Sequence, residues 1–312
     1  MADDDLAGEP LLHCFIAAVE EYAIVTLDRG GLVLSWNAGA ERITGYRHAE
    51  IIGHPVEMFY TSEDVERGQP QSHLAHATAL GQVRFEGWRV RADGSRFWGD
   101  VLVSAIYGPG HELCGFGEIV RDATQSRRFQ RELMRQALHD SLTGLPNRAL
   151  LLDRMRKALA RLERHQGTVA VFFIDLDRFK TVNDSFGHQA GDRVLVEVAQ
   201  RLRSVLRTQD TVARLSGDEF VVLCEVQLQG SLRAQEIAER LAASLARPIL
   251  LGDEHVVLGA GIGVTVTECA AHEPERLLRQ ADIAMYEAKR GRSGQPVHVR
   301  FFDHHPGSSS AD

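Results

Sequence analysis

Three acids have both the type and the setting to do chemistry: Asp175, Asp218 and Glu219. Asp175 closes the apolar run "TVAVFFID", which reads as a strand buried on both faces. Asp218 and Glu219 lie in "RLSGDEFVVL" (214–223), where Arg214 and Leu215 read as the end of one strand and Phe220 to Leu223 as the start of the next. Ser216-Gly217-Asp218 then forms a tight hairpin turn, since glycine supplies the backbone angle such turns need. A central strand ending beside a hairpin tip gathers carboxylates from two segments. Gathered carboxylates repel, and burial raises their pKa unless cations compensate. Hard divalent cations take carboxylate and carbonyl oxygens and keep phosphates as further ligands, which is the equipment of phosphoryl or nucleotidyl transfer. Acids at strand ends and turns are also common surface features, so the cluster alone does not decide.

The elements that must hold these acids are legible downstream of residue 140. "GDRVLVEVAQRLRSVLR" places Val194, Leu195, Val198, Leu202, Val205 and Leu206 on one helical face. A helix over about 231–246 follows, then a hairpin turning at Gly252-Asp253, the strand "HVVLGAGIGVTV", a helix carrying Leu277, Leu278, Ala281, Ala284 and Ala288, and a last strand "PVHVRFF". Strands interleaved with helices around a hairpin imply a mixed sheet surrounded by helices. "GAGIG" (259–263) lacks a helix opening behind it and reads as structural strand; no GxxxxGK[ST] occurs, so this is not a P-loop enzyme.

Residues 1 to about 124 have another rhythm. "YAIVTLDRGGLVLSWN" is a hairpin turning at Asp28–Gly31, "GAERITGY" and "HAEIIG" are short helices, "GWRVRADGSRFWGDVLVSAIYG" is a longer hairpin turning at Ala92–Ser95, and "LCGFGEIVRDAT" is a closing strand. Roughly five antiparallel strands with small helices on one side result. Residues 125–139, "QSRRFQRELMRQALH", contain no Gly or Pro and read as a connecting helix able to pair with its copy.

At 312 residues the chain has room for two ordinary domains. Its net charge of −8 argues against a non-specific nucleic-acid binder, so a phosphate ligand must be held by local cations or metal. Cys14, Cys114, Cys224 and Cys269 show no paired spacing and read as reduced core thiols of a cytoplasmic protein. "MADDDLAGEPLL" is no signal peptide, no run approaches the roughly 18 apolar residues of a membrane span, and the tail 304–312 reads as disordered.

Four stretches identify the second half as resembling a GGDEF domain, the catalytic domain of diguanylate cyclases: "HDSLTGLPNR" (139–148), "FFIDLDRFKTVNDSFGHQAGD" (172–192), "SGDEF" (216–220) and "ADIAMYEAKRGR" (281–292). The resemblance implies an α/β (α+β) palm-like domain over 140–303 that condenses two GTP into cyclic di-GMP and two pyrophosphates, one GTP being held by each half of a homodimer. It implies Mg²⁺ (or Mn²⁺) on Asp175, Asp218 and the Leu176 carbonyl, with Asp218 or Glu219 activating the 3′-hydroxyl. Asn183 and Asp192 would read the guanine edge, His188 would line the pocket with Ser216 and Gly217, and Lys180 would offset phosphate charge. Lys289 would reach the γ-phosphate. "RTQD" fits the family's RxxD product-inhibition site, making Arg207 and Asp210 allosteric residues for cyclic di-GMP.

Two departures stand out: Ser216 replaces the first glycine of the motif, and "KRGR" is one residue shorter than the usual K-x-x-G-R, which puts Arg292 in doubt at the phosphate and leaves Arg290 as a substitute. Both favour an alternative, a weak or inactive member acting as a cyclic di-GMP or GTP effector. Intact Asp175, Lys180, Asn183, Asp192, Asp218 and Glu219 favour the enzyme. A phosphodiesterase reading lacks support, because no Glu-Ala-Leu motif follows residue 303.

Residues 11–124 resemble a PAS sensory domain, on "GLVLSWNAGAERITGY", "EIIG", "WRVRADGSRFW" and "VRDAT". The resemblance implies a sensor acting through the linker helix, with Asp122 and Thr124 at its start as a cap. It leaves the ligand open: His73 and His76 offer haem ligation against a reading as polar surface, and Trp88 and Trp98 offer a flavin pocket against a reading as aromatic core. No nucleic acid or membrane partner is expected.

Overall fold

The computed structural model describes residues 5–163, 167–226, 230–291 and 296–303. The expected tail at 304–312 and Arg292 lie outside them. The chain divides into two compact units, 1–132 and 133–312. The division falls inside a helix read from sequence as a separate linker.

The first unit opens with α1 (Asp5–Ala18), β1 (Tyr22–Leu27) and β2 (Val33–Trp36). Short helices α2 (Ala38–Thr44), α3 (His48–Ile51), α4 (Ser62–Glu66) and the longer α5 (Gln69–Leu80) follow. Then come β3 (Gln82–Val90), β4 (Arg96–Tyr107) and β5 (Leu113–Asp122). The sheet order is β2-β1-β5-β4-β3, antiparallel throughout. The Asp28 carboxylate accepts from the Gly30 and Leu32 amides and so closes the first hairpin. Buried Asn37 caps α2 by accepting from the Ala40 amide and donates to the Val19 and Tyr22 carbonyls.

Three expectations change, two of them within this unit and one, on the thiols, across the chain. Trp88 and Trp98 pack edge to face, 5.3 Å between centroids, with Trp88 exposed and the Arg127 guanidinium 3.3 Å from the Trp98 ring, so they are not core residues. His73 is half-buried rather than plain surface: it stacks on Phe85 and its Nδ1 shares a hydrogen bond with the Tyr60 hydroxyl. Of the four thiols only Cys224 lies in a core; Cys14, Cys114 and Cys269 are exposed. The cavity between Trp36, Phe59, Arg89, Phe97 and Glu118 measures about 20 Å³, room for one water.

Helix α6 (Thr124–Leu138) runs across the division, its first amide accepted by the Asp122 carboxylate as expected. Phe129, Leu133 and Met134 on it are exposed. The second unit continues with α7 (Arg148–Leu162), β6 (Thr168–Leu176), α8 (Phe179–Phe186), α9 (His188–Ser204), β7 (Thr211–Ser216) and β8 (Glu219–Val226). It ends with α10 (Gly230–Leu245), β9 (Ile249–Leu251), β10 (Glu254–Val256), β11 (Ala260–Thr267), α11 (Pro274–Arg290) and β12 (Val297–Phe301). Strand order is β12-β11-β6-β8-β7, with β12 parallel to β11 and the other pairs antiparallel.

The unbroken apolar run of β6 has a simple cause. Ala170, Phe172 and Ile174 pack into one core with α9 and α10, while Val169, Val171 and Phe173 pack into a second core with α7 and α11. Period-two alternation thus delivers every side chain to an apolar layer. Burying each large one contributes about 1.5–3 kcal/mol. The doubly covered strand is the rigid rail that carries Asp175 to its end.

Candidate active site

Register brings the acids together. Asp175 on β6 lies opposite Glu219 on β8, and the Leu176 amide donates to the Asp218 carbonyl at 3.4 Å. Gly217, at φ +47°, makes the left-handed turn between β7 and β8. Burial raises the Asp218 pKa, and the neighbouring Asp175 charge raises it further. Asp282 on α11 is pushed up for the same reasons: burial first, then Glu219 and Asp175.

This crowding of carboxylates is answered by Lys289, in the last turn of α11. Its ammonium lies 2.5 Å from Asp175 Oδ1 and 3.4 Å from Asp177 Oδ1. Asp175 and Asp218 are hard oxygen donors close enough that the Asp175 charge raises the cost of ionising Asp218, and a lysine ammonium already sits on Asp175; with the backbone carbonyl of Leu176, the residue after Asp175, they would suit a hard divalent cation. Among the described residues no group of three or more His, Cys, Asp or Glu side chains is arranged as a metal site by itself. A metal here would therefore rest on two carboxylates, a carbonyl and its substrate's oxygens.

Ser216 turns inward on the motif: its hydroxyl donates to Glu219 Oε2 at 2.6 Å. The turn is braced from behind by Arg214, which the sequence reading treated only as supporting strand. Its Nε donates to the Gly217 carbonyl at 2.9 Å, and its Nη1 reaches both Asp140 oxygens at 3.0 and 3.1 Å. Burial opposes ionisation of Asp140, but bonds from Thr143 and Arg214 outweigh it and hold the carboxyl below the usual range. "HDSLTGLPNR" thus has a structural task, locking the loop after α6 to the base of the hairpin.

Asn183 on α8 packs against Gly191 on α9. Asn183 Oδ1 fills the space where a side chain on Gly191 would stand, and Asp192, the next residue, is exposed on the first turns of α9. His188 opens α9 and is exposed, as is Lys180 on α8. Arg178, between Asp177 and α8, takes a left-handed backbone (φ +54°), a strained conformation of the kind found near functional sites.

Arg207 and Asp210 lie at the far end of β7 from Ser216. Each donates its backbone amide to the other, Arg207 N to Asp210 Oδ2 at 2.9 Å and Asp210 N to the Arg207 carbonyl at 3.0 Å. They line a cavity of about 400 Å³ with Cys224, Arg233 and Arg240, separate from the acids. Sequence reasoning missed Asp177, Asp140, Arg214 and Asp282. For Asp177 a signal existed: the D-x-D spacing in "FFIDLDRF" puts two acids on one side of a strand end.

Comparison with known proteins agrees with this architecture. The family model described as "Diguanylate cyclase, GGDEF domain" matches residues 137–295, and a PAS domain model matches 21–125. Diguanylate cyclase TpbB of Pseudomonas aeruginosa is 48% identical over 163 residues, 52% of this chain and 37% of TpbB. An uncharacterized signaling protein of Caulobacter vibrioides is 41% identical over 298 residues, 92% of this chain and 34% of that protein. The solved coiled coil and GGDEF domain of DgcB from Caulobacter crescentus, in complex with c-di-GMP, is 26% identical with a TM-score of 0.50, covering 57% of this chain and 92% of that one. The chain spans only about a third of the length of these two curated relatives. No helix among the described residues is long and apolar enough to cross a membrane. The sheet order, the clustered acids and the matched models agree that the chain belongs to the GGDEF-domain diguanylate cyclase family, with a PAS domain preceding the GGDEF domain.

Proposed function

We propose that this protein is a diguanylate cyclase that condenses two GTP into cyclic di-GMP and two pyrophosphates. The observation that carries the reading is the register pairing of Asp175 with Glu219, which puts the Asp218 turn beside the end of β6. Asp175, Asp218 and the Leu176 carbonyl hold Mg²⁺ or Mn²⁺, which when bound neutralises phosphate charge and polarises the phosphoryl group. Asp218 or Glu219 accepts the proton of the attacking 3′-hydroxyl. The guanine edge is held by Asn183 and Asp192, with His188 beside them and the Ser216-Gly217 backbone facing the nucleotide. Lys180 balances charge developing on the phosphates, and Lys289 meets the γ-phosphate.

Because each 3′-hydroxyl attacks the other nucleotide, one chain holds half a site and the active species is a homodimer. The exposed Phe129, Leu133 and Met134 of α6 are suited to pairing with a second copy. The PAS unit controls that pairing, and the Arg207/Asp210 cavity takes cyclic di-GMP as inhibitor. DgcB, solved with c-di-GMP, supports the ligand class.

A second reading is a GTP or cyclic di-GMP effector without turnover. It is favoured by the Ser216–Glu219 hydrogen bond, which occupies a proposed base. Incubation of the full chain with GTP and Mg²⁺, followed by chromatography of the nucleotides, separates the two. The cyclase reading expects cyclic di-GMP; bound guanine nucleotide with no product at micromolar enzyme overturns it.

A further inference from the structure

The stretch "GAGIG" makes room for a charge relay. A Cβ on Gly259 would stand 2.6 Å from Asp177 Oδ2, and one on Gly261 would stand 2.7 Å from Lys289 Cγ. One on Gly263 would overlap the Ala281 carbonyl and the Met285 backbone of α11. Gly261 and Gly263 therefore let α11 lie directly on β11 and let the Lys289 stem run over Gly261 to the acids, while Gly259 leaves room for Asp177. Asp177 is fixed at the other side, its amide donating to the Gly259 carbonyl at 2.7 Å.

Among the described residues the ammonium meets two carboxylates. At 2.5 Å it is fully engaged with Asp175 Oδ1; at 3.4 Å it is short of full engagement with Asp177 Oδ1. An approach of about 0.5 Å completes the second ion pair, since charge-assisted N–H···O bonds run near 2.7–2.9 Å. The lysine, Asp175 and Asp177 side chains are 22%, 23% and 14% exposed, so water screens the exchange only in part.

We propose that Lys289 is the resident counter-ion of Asp175 and that Asp177 is the seat that receives it when a divalent cation takes Asp175. Asp177 is then a positioning residue, acting through Lys289. Two consequences follow from charge alone. Metal without nucleotide binds weakly, because it must displace an ammonium. Metal and nucleotide bind synergistically, because the displaced ammonium gains a phosphate to neutralise, and the coupling is reciprocal. The proposal rests on the reading of Asp175 as a metal ligand, and its test separates the two.

Mn²⁺ binding to the full chain without nucleotide is measured from the electron paramagnetic resonance signal of free Mn²⁺. Folding of each variant is checked by circular dichroism. Lys289→Met is expected to bind Mn²⁺ on the order of tenfold more tightly, since a like charge beside the donor is removed. Asp177→Asn is expected to bind it several-fold more weakly, because Lys289 loses the Asp177 carboxylate and keeps that of Asp175; a merely structural role would move both variants the same way. Asp175→Asn is expected to lose binding. Lys289→Met no tighter than wild type, with Asp175→Asn still null, overturns the relay and leaves the metal reading standing. Asp175→Asn binding like wild type overturns the metal reading itself. Should Lys289→Met fail to fold, Lys289→Gln carries the same expectation. A non-hydrolysable GTP analogue then reads the synergy, which is expected to be at least several-fold in wild type and lost in the Lys289 variant; equal synergy in both overturns the proposal.

Discussion

Replacing Ser216 by glycine tests how the hairpin tip sets the rate. The Ser216 hydroxyl donates to Glu219 Oε2 at 2.6 Å, and both residues belong to the β7–β8 turn. For Glu219 to accept a proton or bond from substrate, this hydrogen bond must loosen. A hydrogen bond to a charged acceptor contributes about 1.5–3 kcal/mol when buried, and an exposed one nearer 1 kcal/mol after competition from water. At 1.4 kcal/mol per decade, 1 kcal/mol is about fivefold in rate. Ser216→Gly is therefore expected to raise kcat by roughly fivefold, with KM for GTP nearly unchanged. The assay is initial-rate pyrophosphate release by the full chain, with GTP saturating and product removed to prevent inhibition. Stability is expected to change by less than about 1 kcal/mol, as both the hydroxyl and its partner are solvent-accessible. A fall in kcat of tenfold or more would refute the reasoning. It would mean that the hydroxyl orients Glu219 for its task instead of occupying it.

Three further outcomes are expected. His73 is held down to about 4 by burial first and by Arg89 second, so between pH 6.5 and 4 the unfolded chain takes up a proton that the folded chain refuses. Stability of the first unit thus falls as pH drops through that window, by about 1–2 kcal/mol after discounting a half-exposed ring. His73→Phe is expected to flatten the pH dependence of the thermal midpoint, and an unchanged slope contradicts the assignment. Gly263→Val forces side-chain atoms into the α11 backbone and is expected to cost about 2–3 kcal/mol in urea unfolding of the second unit, whereas a silent substitution contradicts the close approach. Arg207→Ala is expected to weaken inhibition by cyclic di-GMP at least tenfold with initial rates preserved; inhibition at the wild-type concentration removes the regulatory site.

Much of the fold was legible because its periodicities are strong. The buried run at 168–176, the hairpin at 217 and the apolar face of α9 each follow from side-chain alternation or helical spacing. Strand order was not legible. β6 lies between β11 and β8, and β1 pairs with β5 from Tyr22↔Arg121 onward; both are long-range choices made by packing. The aromatics of the first unit misled for a related reason. Trp88 and Trp98 sit at β-strand positions whose face is decided by register, and a sequence carries no register until the partner strand is known.

In the site, Asp175, Asp218 and Glu219 could be singled out because acids ending an apolar strand and crowding a turn are costly without a purpose. Asp177 and Arg214 could not be given their tasks. Their partners, Lys289 and Asp140, lie 112 and 74 residues away and meet them only because α11 rests on Gly261 and Gly263 and the loop after α6 folds back to the hairpin.

The central claim is that the acids of β6 and the hairpin turn form one catalytic cluster for condensing GTP. Its most direct test is the product balance of wild type against Asp218→Asn, with GTP, Mg²⁺ and the full chain. Wild type is expected to give cyclic di-GMP with two pyrophosphates released for each. Asp218→Asn is expected to stay folded, retain guanine nucleotide and make no product above background. Undiminished cyclic di-GMP from Asp218→Asn would contradict the account.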